Sequence, residues 1–411
     1  MLCAVAADAA TTRNDDSCDI AVMPAATLLL PYFVVDVGSP AAGAKTTVFT
    51  VINTSREPRI ARVTLWTDLA FPVLNFNLFL TGYDAQAINL YDVLARGTVP
   101  QTLSGECEAG GPIPSNVLDE VRGALTVGRV TNCGSGAIGF THFVDAIGYA
   151  TIDVVNSCDA VFPTSERYYD ELLYDNVLTG DYEIVDRNPI AGNLAAGSPL
   201  VHIRAIPDGG PAGLVTRTSL PYTFYDRYTP RTYGGSATMD RRQPLPSVFA
   251  ARFIESEAGG LDTSFQIWRE GVTNGSASCR DYYDRNYHYL QMKLTDSERF
   301  DEHENPSGLR CRALCPAPYP HLPPTSTVPS SYALFPLLSV SGGIGGWIYL
   351  NLDNGGSGTY SSARHSQNWV VVTMSAEGRY STAYDATALA NGCTPAPAAG
   401  ATIGPGPNST P

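Results

Sequence analysis

Residues 28–68 have the sequence LLLPYFVVDVGSPAAGAKTTVFTVINTSREPRIARVTLWTD, and this stretch decides the fold class of the chain. Its short apolar runs are rich in Val, Phe and Thr and are bounded by Gly, Pro, Asn and Ser, a pattern typical of strands joined by turns. In the last run Ala61, Val63 and Leu65 alternate with Arg62 and Thr64. We therefore expect hairpins that open an antiparallel β-sandwich, with one face of this strand buried and the other in solvent.

The rest of the chain continues this strand-and-turn pattern and contains only short helical segments. Three helices are predicted: residues 90–96 with Asn89 as the N-cap, a segment beginning near Ser115, and residues 165–174. Trp347–Leu352 and Asn368–Met374 flank a Gly-rich turn, so we expect them to pair as a hairpin. The predicted fold class is mainly β, an antiparallel β-sandwich of immunoglobulin-like or jelly-roll type, with two sandwiches and short connecting helices.

Two segments of the chain are similar to each other, which is explained either by chance similarity between two hairpins or by an internal repeat. Residues 245–271 align with residues 30–55, because both begin with Leu-Pro and continue with an apolar strand, a Gly-containing turn and a strand containing Thr and Phe. The predicted division of the chain is residues 1–10 as a signal-peptide remnant or flexible N-terminus, 11–235 as the first sandwich with insertions, 243–393 as the second with a Pro-rich insertion, and 394–411 as a disordered tail.

Composition argues against two classes of partner. The formal charge is −14 at pH 7 and the sequence pI is about 4.8, with no basic stripe, so no nucleic acid is expected to bind. The longest apolar run, residues 28–35, is far too short to cross a bilayer, so no membrane span is predicted.

The AADA sequence at residues 6–9 is typical of a signal-peptide cleavage region, which predicts a secreted, extracellular or cell-surface protein.

The cysteines favour disulfide bonds. Cys3 is expected to leave with the signal peptide, and an even set of cysteines in an exported chain is typically paired. The candidates are Cys18, Cys107, Cys133, Cys158, Cys279, Cys311, Cys315 and Cys393. A bond between Cys133 and Cys158 would close a loop of about 25 residues and stabilise the fold by roughly 3 kcal/mol. Zinc bound by Cys311 and Cys315, which have CxxxC spacing, is the weaker alternative, because no second ligand pair lies nearby in the sequence.

Catalytic and metal-binding motifs are weak. No histidine stands in HxH, HExxH or HxxxH spacing, so no metal site and no cofactor are predicted. His142 with Asp145 is one of two groupings that suggest a nucleophile or an acid/base pair, although such pairs also arise by chance. The other candidate groups are His365 beside Ser361, Ser362 and Ser366, a glycosidase-type pair among Asp181, Glu183 and Asp186, and a calcium site at Asp353, Asn354 and Ser357, where a hairpin turn is the favoured alternative.

Two Tyr-rich stretches are the most distinctive binding candidates. Tyr and Arg side chains supply large amphipathic contact areas, which suit both subunit interfaces and sugar stacking. Ordinary half-buried aromatic side chains are the alternative. The candidate interface or ligand residues are Tyr222, Tyr225, Tyr228, Tyr233, Tyr282, Tyr283 and Tyr287.

Four segments carry a resemblance to a known family: TVFTVINTSREPRIARVTLWTD, YDNVLTGDY, DRRQPLPSVFAARFI and SQNWVVVTMSAEGRYSTAYD. They resemble an uncharacterised family of exported bacterial proteins, and this resemblance implies export and a bacterial origin but no activity. The hairpin beginning near Leu28 is similar to immunoglobulin-like sandwiches of surface fibres and adhesins.

These features together favour a non-catalytic extracellular structural protein, a subunit of the cell surface or of a fibre or matrix. Such a subunit would self-associate, or bind other surface components, through the edges of its β-sheets. Residues 11–22 are the candidate donated strand. The alternative is a secreted glycan-binding module or hydrolase that uses the Tyr-rich loops and nearby carboxylates.

Overall fold

The computed structural model describes the following residues, to which every structural statement below refers: 22–68, 70–100, 110–129, 138–163, 166–186, 195–205, 242, 245–246, 248–255, 260–269, 298–303, 325–329, 344–352, 368–376 and 380–389.

The described chain consists mainly of antiparallel β-strands, which confirms the predicted class. The strands of the first half are β1 (Thr27–Asp36), β2 (Thr46–Asn53), β3 (Arg59–Thr67), β4 (Pro72–Leu80), β5 (Ala85–Asn89), β6 (Thr98–Val99), β7 (Gly111–Pro112), β8 (Asp145–Val155), β9 (Leu178–Val185), β10 (Ala195–Pro199) and β11 (Val201–Ile203). Those of the second half are β12 (Val248–Glu255), β13 (Leu261–Arg269), β14 (Glu298–Asp301), β15 (Thr325–Pro329), β16 (Ile344–Asn351), β17 (Asn368–Ala376), β18 (Tyr380–Asp385) and β19 (Thr387–Ala388). The helices are α1 (Leu90–Leu94), α2 (Ser115–Val127) and α3 (Glu166–Glu171).

The three helices lie where the sequence predicts them, and local signals explain their ends. Asn89 caps α1, since its side-chain oxygen accepts a hydrogen bond from the Tyr91 N–H group at 3.0 Å. Helix α2 ends at Gly128, whose φ of 67° is the left-handed conformation that glycine adopts without strain. Within the described residues, no helix has the length and apolar character needed to cross a membrane.

Four sheets hold most of the strands. Sheet I has the order β11-β1-β8-β3-β4, sheet II β10-β9-β2-β5, sheet III β14-β16-β12-β19 and sheet IV β15-β13-β17-β18. Strands β1 and β2 lie in different sheets, so the predicted opening hairpin is wrong. The hairpin predicted for residues 347–352 and 368–374 is wrong for the same reason, since β16 belongs to sheet III and β17 to sheet IV.

The two halves of the chain repeat one strand order. Sheet III has the strand order of sheet I, and sheet IV has the strand order of sheet II. The equivalent strands are β12 and β1, β13 and β2, β14 and β3, β15 and β5, and β16–β19 and β8–β11 in turn. Among the described strands of sheets I and II, only β4 lacks an equivalent. The similarity between residues 30–55 and 245–271 thus falls on β1–β2 and β12–β13, which occupy equivalent places.

Individual residues also repeat. Phe33 lies opposite Gly148 as Phe253 lies opposite Gly346. The residue after each glycine stacks on an aromatic ring of the next strand: Tyr149 on Trp66 with centroids 5.5 Å apart, and Trp347 on Phe300 with centroids 4.2 Å apart. This equivalence matches Phe33 with Phe253. The sequence alignment that starts from the two Leu-Pro pairs does not match these two residues, so its register is wrong for the first strand. The reason is that residues 37–45 connect β1 to β2, whereas the shorter stretch 256–260 connects β12 to β13.

A buried threonine ties the first two strands together in each half. Thr47 accepts a hydrogen bond from the Val34 N–H group at 3.0 Å and donates to the Val34 carbonyl at 3.1 Å. Thr263 does the same for Ile254, at 2.9 Å and 2.8 Å. Both threonines are 0 % exposed, so each satisfies two backbone groups of the preceding strand. The bonds of Thr47 to Val34 are buried, whereas those of Thr263 to Ile254 are partly buried.

We predict that Thr47→Val lowers the free energy of unfolding by about 2 kcal/mol, because the isosteric change leaves a buried N–H and a buried carbonyl unsatisfied. Thr263→Val should lower it by a smaller amount, about 1 kcal/mol, because the Ile254 groups are only partly buried. Urea denaturation measures both values. Thr98→Val, at an exposed position in β6, is the matched control and should change the free energy by less than about 0.5 kcal/mol. Equal stabilities for all three variants would contradict the structural role of the repeated threonine.

Two hydrophobic cores hold the sheets together. The first lies between sheets I and II and includes Leu28, Val63, Ile152 and Phe49. The second joins the second half of the chain to the other face of sheet I, where the Tyr149 ring meets the Trp268 ring edge-on at 5.8 Å. Sheet I is therefore covered on both faces.

This covering corrects the prediction for β3. Arg62 and Thr64 were expected in solvent, yet both are 0 % exposed. Period-two alternation shows that a strand has one apolar and one polar face, but it does not show what covers the polar face. Here α3 and the second half of the chain cover it, and the buried charges must find partners there.

Candidate functional site

A buried polar cluster, which we call the junction network, lies on the face of sheet I that is turned away from sheet II. It consists of Thr27, Arg62, Asp153, Tyr168, Glu171 and Arg242, none of which is more than 5 % exposed. Strands β1, β3 and β8 and helix α3 supply five of these residues. Arg242 comes from the segment that leads to β12, and its backbone forms an isolated bridge with Ala205.

Asp153 is the centre of the junction network. Thr27 Oγ1 donates to Asp153 Oδ1 at 2.5 Å, and Arg242 Nη1 donates to the same oxygen at 2.8 Å. Tyr168 OH donates to Oδ2 at 2.5 Å. Burial and the neighbouring Asp153 charge raise the pKa of Tyr168 well above its ordinary value, so the phenol keeps its proton and remains a donor.

Arg62 and Glu171 form the second part of the junction network. Arg62 Nη1 lies 2.5 Å from Glu171 Oε2, while Nε donates to Asn77 Oδ1 at 3.1 Å and Nη2 donates to the Ser157 carbonyl at 3.0 Å. The Arg62 guanidinium also lies 5.6 Å from the centroid of the Tyr168 ring. The charged groups of the network are thus bonded to one another and have no open face for a substrate.

A second site is partly open to solvent. We call residues 138–144, between α2 and β8, the His142 loop. Hydrogen bonds hold it against the end of α2: the Ile138 N–H group donates to the Gly128 carbonyl at 2.8 Å, and the His142 N–H group donates to the Thr126 carbonyl at 2.6 Å. An added Cβ at Gly128 would overlap the Gly139 backbone, so this close approach requires glycine.

Asp68, just after β3, orients His142. Its Oδ2 lies 2.6 Å from His142 Nε2, and its Oδ1 accepts a hydrogen bond from the Phe140 N–H group at 3.0 Å. The Asp68 side chain is 2 % exposed and that of His142 is 21 % exposed. A buried carboxylate that fixes one imidazole nitrogen leaves the other nitrogen to exchange protons with a bound molecule.

Exposed apolar side chains lie in the His142 loop and at the end of α2. Phe143 is 80 % exposed and has a φ of 60°, which is unusual for a bulky residue. Val127, Phe140 and Val144 are also exposed, between 38 % and 56 %. An exposed aromatic ring beside an oriented histidine gives the His142 loop the composition of a binding surface.

The predicted partner of His142 is wrong. The imidazole is hydrogen-bonded to Asp68, whereas the hydrogen bond between Asp145 and His142 joins their backbones, the Asp145 N–H group donating to the His142 carbonyl at 3.2 Å. Burial raises the pKa of the Asp145 carboxyl, Asp36 and Asp186 raise it further, and Lys45 and His142 oppose the rise. Asp145 thus belongs to a partly buried acidic cluster near the loop and does not orient the imidazole.

The remaining predicted sites have mixed outcomes. Asp181 and Glu183 lie on the exposed face of β9, while Asp186 pairs with Lys45 at 3.6 Å. The seven candidate tyrosines, His365 and residues 353–357 lie outside the described residues. So do all the cysteines except Cys158, which is disulfide-bonded. No complete disulfide pair falls within the described ranges, so the Cys133–Cys158 bond stays a prediction.

Asp68, Asp153 and Glu171 were missed because their partners are distant in sequence. Asp68 lies 74 residues from His142, and Arg62 lies 109 residues from Glu171. One signal was available for Asp153. It stands in the otherwise apolar run AIGYATIDVV of β8, and an ionised residue within such a run needs a buried partner.

Comparisons of the chain with protein-family models, with curated proteins and with solved structures gave no match.

Proposed function

We propose that the protein is a non-catalytic structural subunit, secreted by a bacterium to the cell surface or into an extracellular fibre or matrix. The junction network carries this proposal. Its charged groups bond to one another and hold the segment that leads to β12 against sheet I through buried contacts, as expected of a rigid building block rather than an enzyme cleft. In the same proposal each sheet pair is a β-sandwich. Its strand order differs from that of an immunoglobulin domain, where the first two strands share a sheet.

Sheet edges are the proposed sites of assembly, and β4 is the favoured edge. Strand β5 ends sheet II, but its backbone is partly occupied: the Ala85 N–H group donates to Asp84 Oδ1 at 2.8 Å, and the Ala87 carbonyl accepts from Gln86 Nε2 at 3.1 Å. Side chains that bond an edge in this way reduce its ability to pair with another strand. Strand β4 ends sheet I and has nine residues, enough for a neighbouring strand to pair along it.

The proposed donor is the segment of residues 11–22 of a neighbouring subunit. Residues 11–21 lie outside the described residues, and Val22, which follows them, is 66 % exposed. Electron microscopy and concentration-dependent light scattering should show regular polymers of the full chain. Deleting residues 11–22 should leave folded monomers, whereas deleting residues 394–411, as a control, should leave assembly unchanged. A full chain that stays monomeric, or polymers that survive the first deletion, would contradict the proposal.

The second candidate is a secreted glycan-binding module or hydrolase, and the oriented His142 favours it. The imidazole would take a proton from water or from a substrate hydroxyl, while Phe143 would provide a stacking surface. A panel of esters, glycosides and glycans tests this candidate by turnover and by quenching of intrinsic fluorescence. Any turnover should fall at least about 100-fold in His142→Gln and be unchanged in His303→Gln, which alters an exposed histidine. A flat response across the panel would exclude this candidate.

A further inference from the structure

The two halves of the chain also meet where β10 of sheet II lies beside β18 of sheet IV. Asp385, the last residue of β18, accepts two hydrogen bonds there on the same oxygen, Oδ1. One comes from Ser198 Oγ of β10 at 3.1 Å, and the other from Trp369 Nε1 of β17 at 3.1 Å. A single carboxyl oxygen therefore joins a residue of the first half to a residue of the second.

No cation compensates this carboxyl within the described residues. The polar groups that face it are the Ser198 hydroxyl from β10, the Trp369 indole from β17 and the Tyr182 phenol from β9. Tyr182 is 2 % exposed, and its hydroxyl has no hydrogen-bond partner among the residues that the structure describes. Burial, and then Asp385 itself, raise the pKa of Tyr182, so the phenol stays neutral. Asp385 is half-buried, and two neutral donors stabilise such a partly desolvated carboxylate far less than an ion pair would.

We infer that the contact between β10 and β18 is a proton-sensitive joint, which closes on the neutral carboxylic acid of Asp385 and opens when the carboxylate forms. This inference concerns the coupling between the two halves and does not depend on the proposed function. The neutral acid keeps an oxygen that accepts from Ser198 and Trp369, whereas the ionised form loses part of its hydration in the closed contact, where Asp385 is half-buried.

The direction of the pH effect follows from the pKa. Burial raises the pKa of Asp385 from 3.8 to about 6, against the opposing hydrogen bonds from Trp369 and Ser198. The closed form therefore binds the proton more tightly than the open form. Closure is favoured fully below about pH 4 and is lost as the pH rises through about 6. The difference between the two pKa values corresponds to about 100-fold in the closing equilibrium.

Hydrogen exchange measured by mass spectrometry on the full chain between pH 4 and pH 8 tests the joint. After correction for intrinsic exchange rates, protection of peptides from β10 and β18 should fall by up to about 100-fold with a midpoint near pH 6. Protection of β8, in the centre of sheet I, should stay constant. Asp385→Asn keeps the acceptor oxygen without the charge, so its β10 and β18 peptides should stay protected throughout.

Two more variants complete the test. Ser198→Ala removes a hydrogen bond that favours the carboxylate, so the midpoint should move to higher pH. Asp145→Asn changes a different carboxyl of raised pKa and should keep the wild-type profile at β10 and β18. Wild-type protection that does not change with pH, a transition that persists in Asp385→Asn, or an unshifted midpoint in Ser198→Ala would each overturn the inference.

Discussion

Replacing Arg62 by methionine is expected to lower the free energy of unfolding by about 3–5 kcal/mol. Arg62 Nη1 lies 2.5 Å from Glu171 Oε2, and the two residues are 0 % and 5 % exposed. Without the guanidinium, the Glu171 carboxylate remains buried beside Arg167 alone, whose Nε is 3.5 Å from Oε1 and whose side chain is largely exposed. Urea denaturation at pH 7 measures the loss.

The matched control is Arg96→Met. Arg96 forms an i,i+4 pair with Asp92 at 2.7 Å, but solvent reaches both side chains, which are 59 % and 39 % exposed. Water and salt screen such a pair, so the change should lower the free energy of unfolding by less than about 0.5 kcal/mol. The contrast between the two arginines separates the effect of a buried partner from the effect of removing a positive charge.

A double variant distinguishes an unpaired charge from lost packing. Arg62→Met combined with Glu171→Met removes both charges and keeps apolar volume, so the double change should destabilise less than the sum of the two single changes. Additive losses would show that the two residues contribute independently. A loss below about 1 kcal/mol for Arg62→Met alone would contradict the buried ion pair, and with it the main support for a rigid subunit.

The parts of the fold that could be predicted depend on local signals. The period of two in β3 and the cap residues Asn89 and Gly128 act within a few residues, so strand and helix positions were largely correct. Strand partners were not, because a turn of a given length suits both a hairpin and a crossing to the facing sheet. Strands β1 and β2 make such a crossing, and β12 and β13 repeat it.

The candidate site depends on contacts between distant residues, and these leave little trace in one sequence. Asp145 lies three residues from His142 in the sequence, yet the residue that orients His142 is Asp68, which follows the end of β3. Ser198 and Asp385 are 187 residues apart. What a sequence does show is the need for a partner: Arg62 and Asp153 stand in strands whose neighbours are apolar, and burial of such residues requires compensation.

Gly148→Ala is expected to lower the free energy of unfolding by about 3 kcal/mol. Gly148 lies in β8, the central strand of sheet I, opposite Phe33. An added Cβ would overlap the carbonyl oxygen of Trp66 and lie 2.9 Å from Phe33 Cζ. Because the carbonyl belongs to the paired strand β3, relief requires β3 and β8 to move apart, which weakens their hydrogen bonds. Thermal and urea denaturation measure the loss.

Three comparisons show whether the cause is backbone overlap at a repeated position. Gly43→Ala, where an added Cβ meets nothing within 4 Å, should change the free energy of unfolding by less than about 0.5 kcal/mol. Gly346→Ala should destabilise like Gly148→Ala, because its Cβ would overlap the Phe300 carbonyl of the equivalent strand pair. Adding Phe33→Leu should not rescue Gly148→Ala, since a smaller side chain leaves the Trp66 carbonyl in place. Rescue by that change would instead assign the strain to the Phe33 ring, and a harmless Gly346→Ala would contradict the equivalence of the two halves.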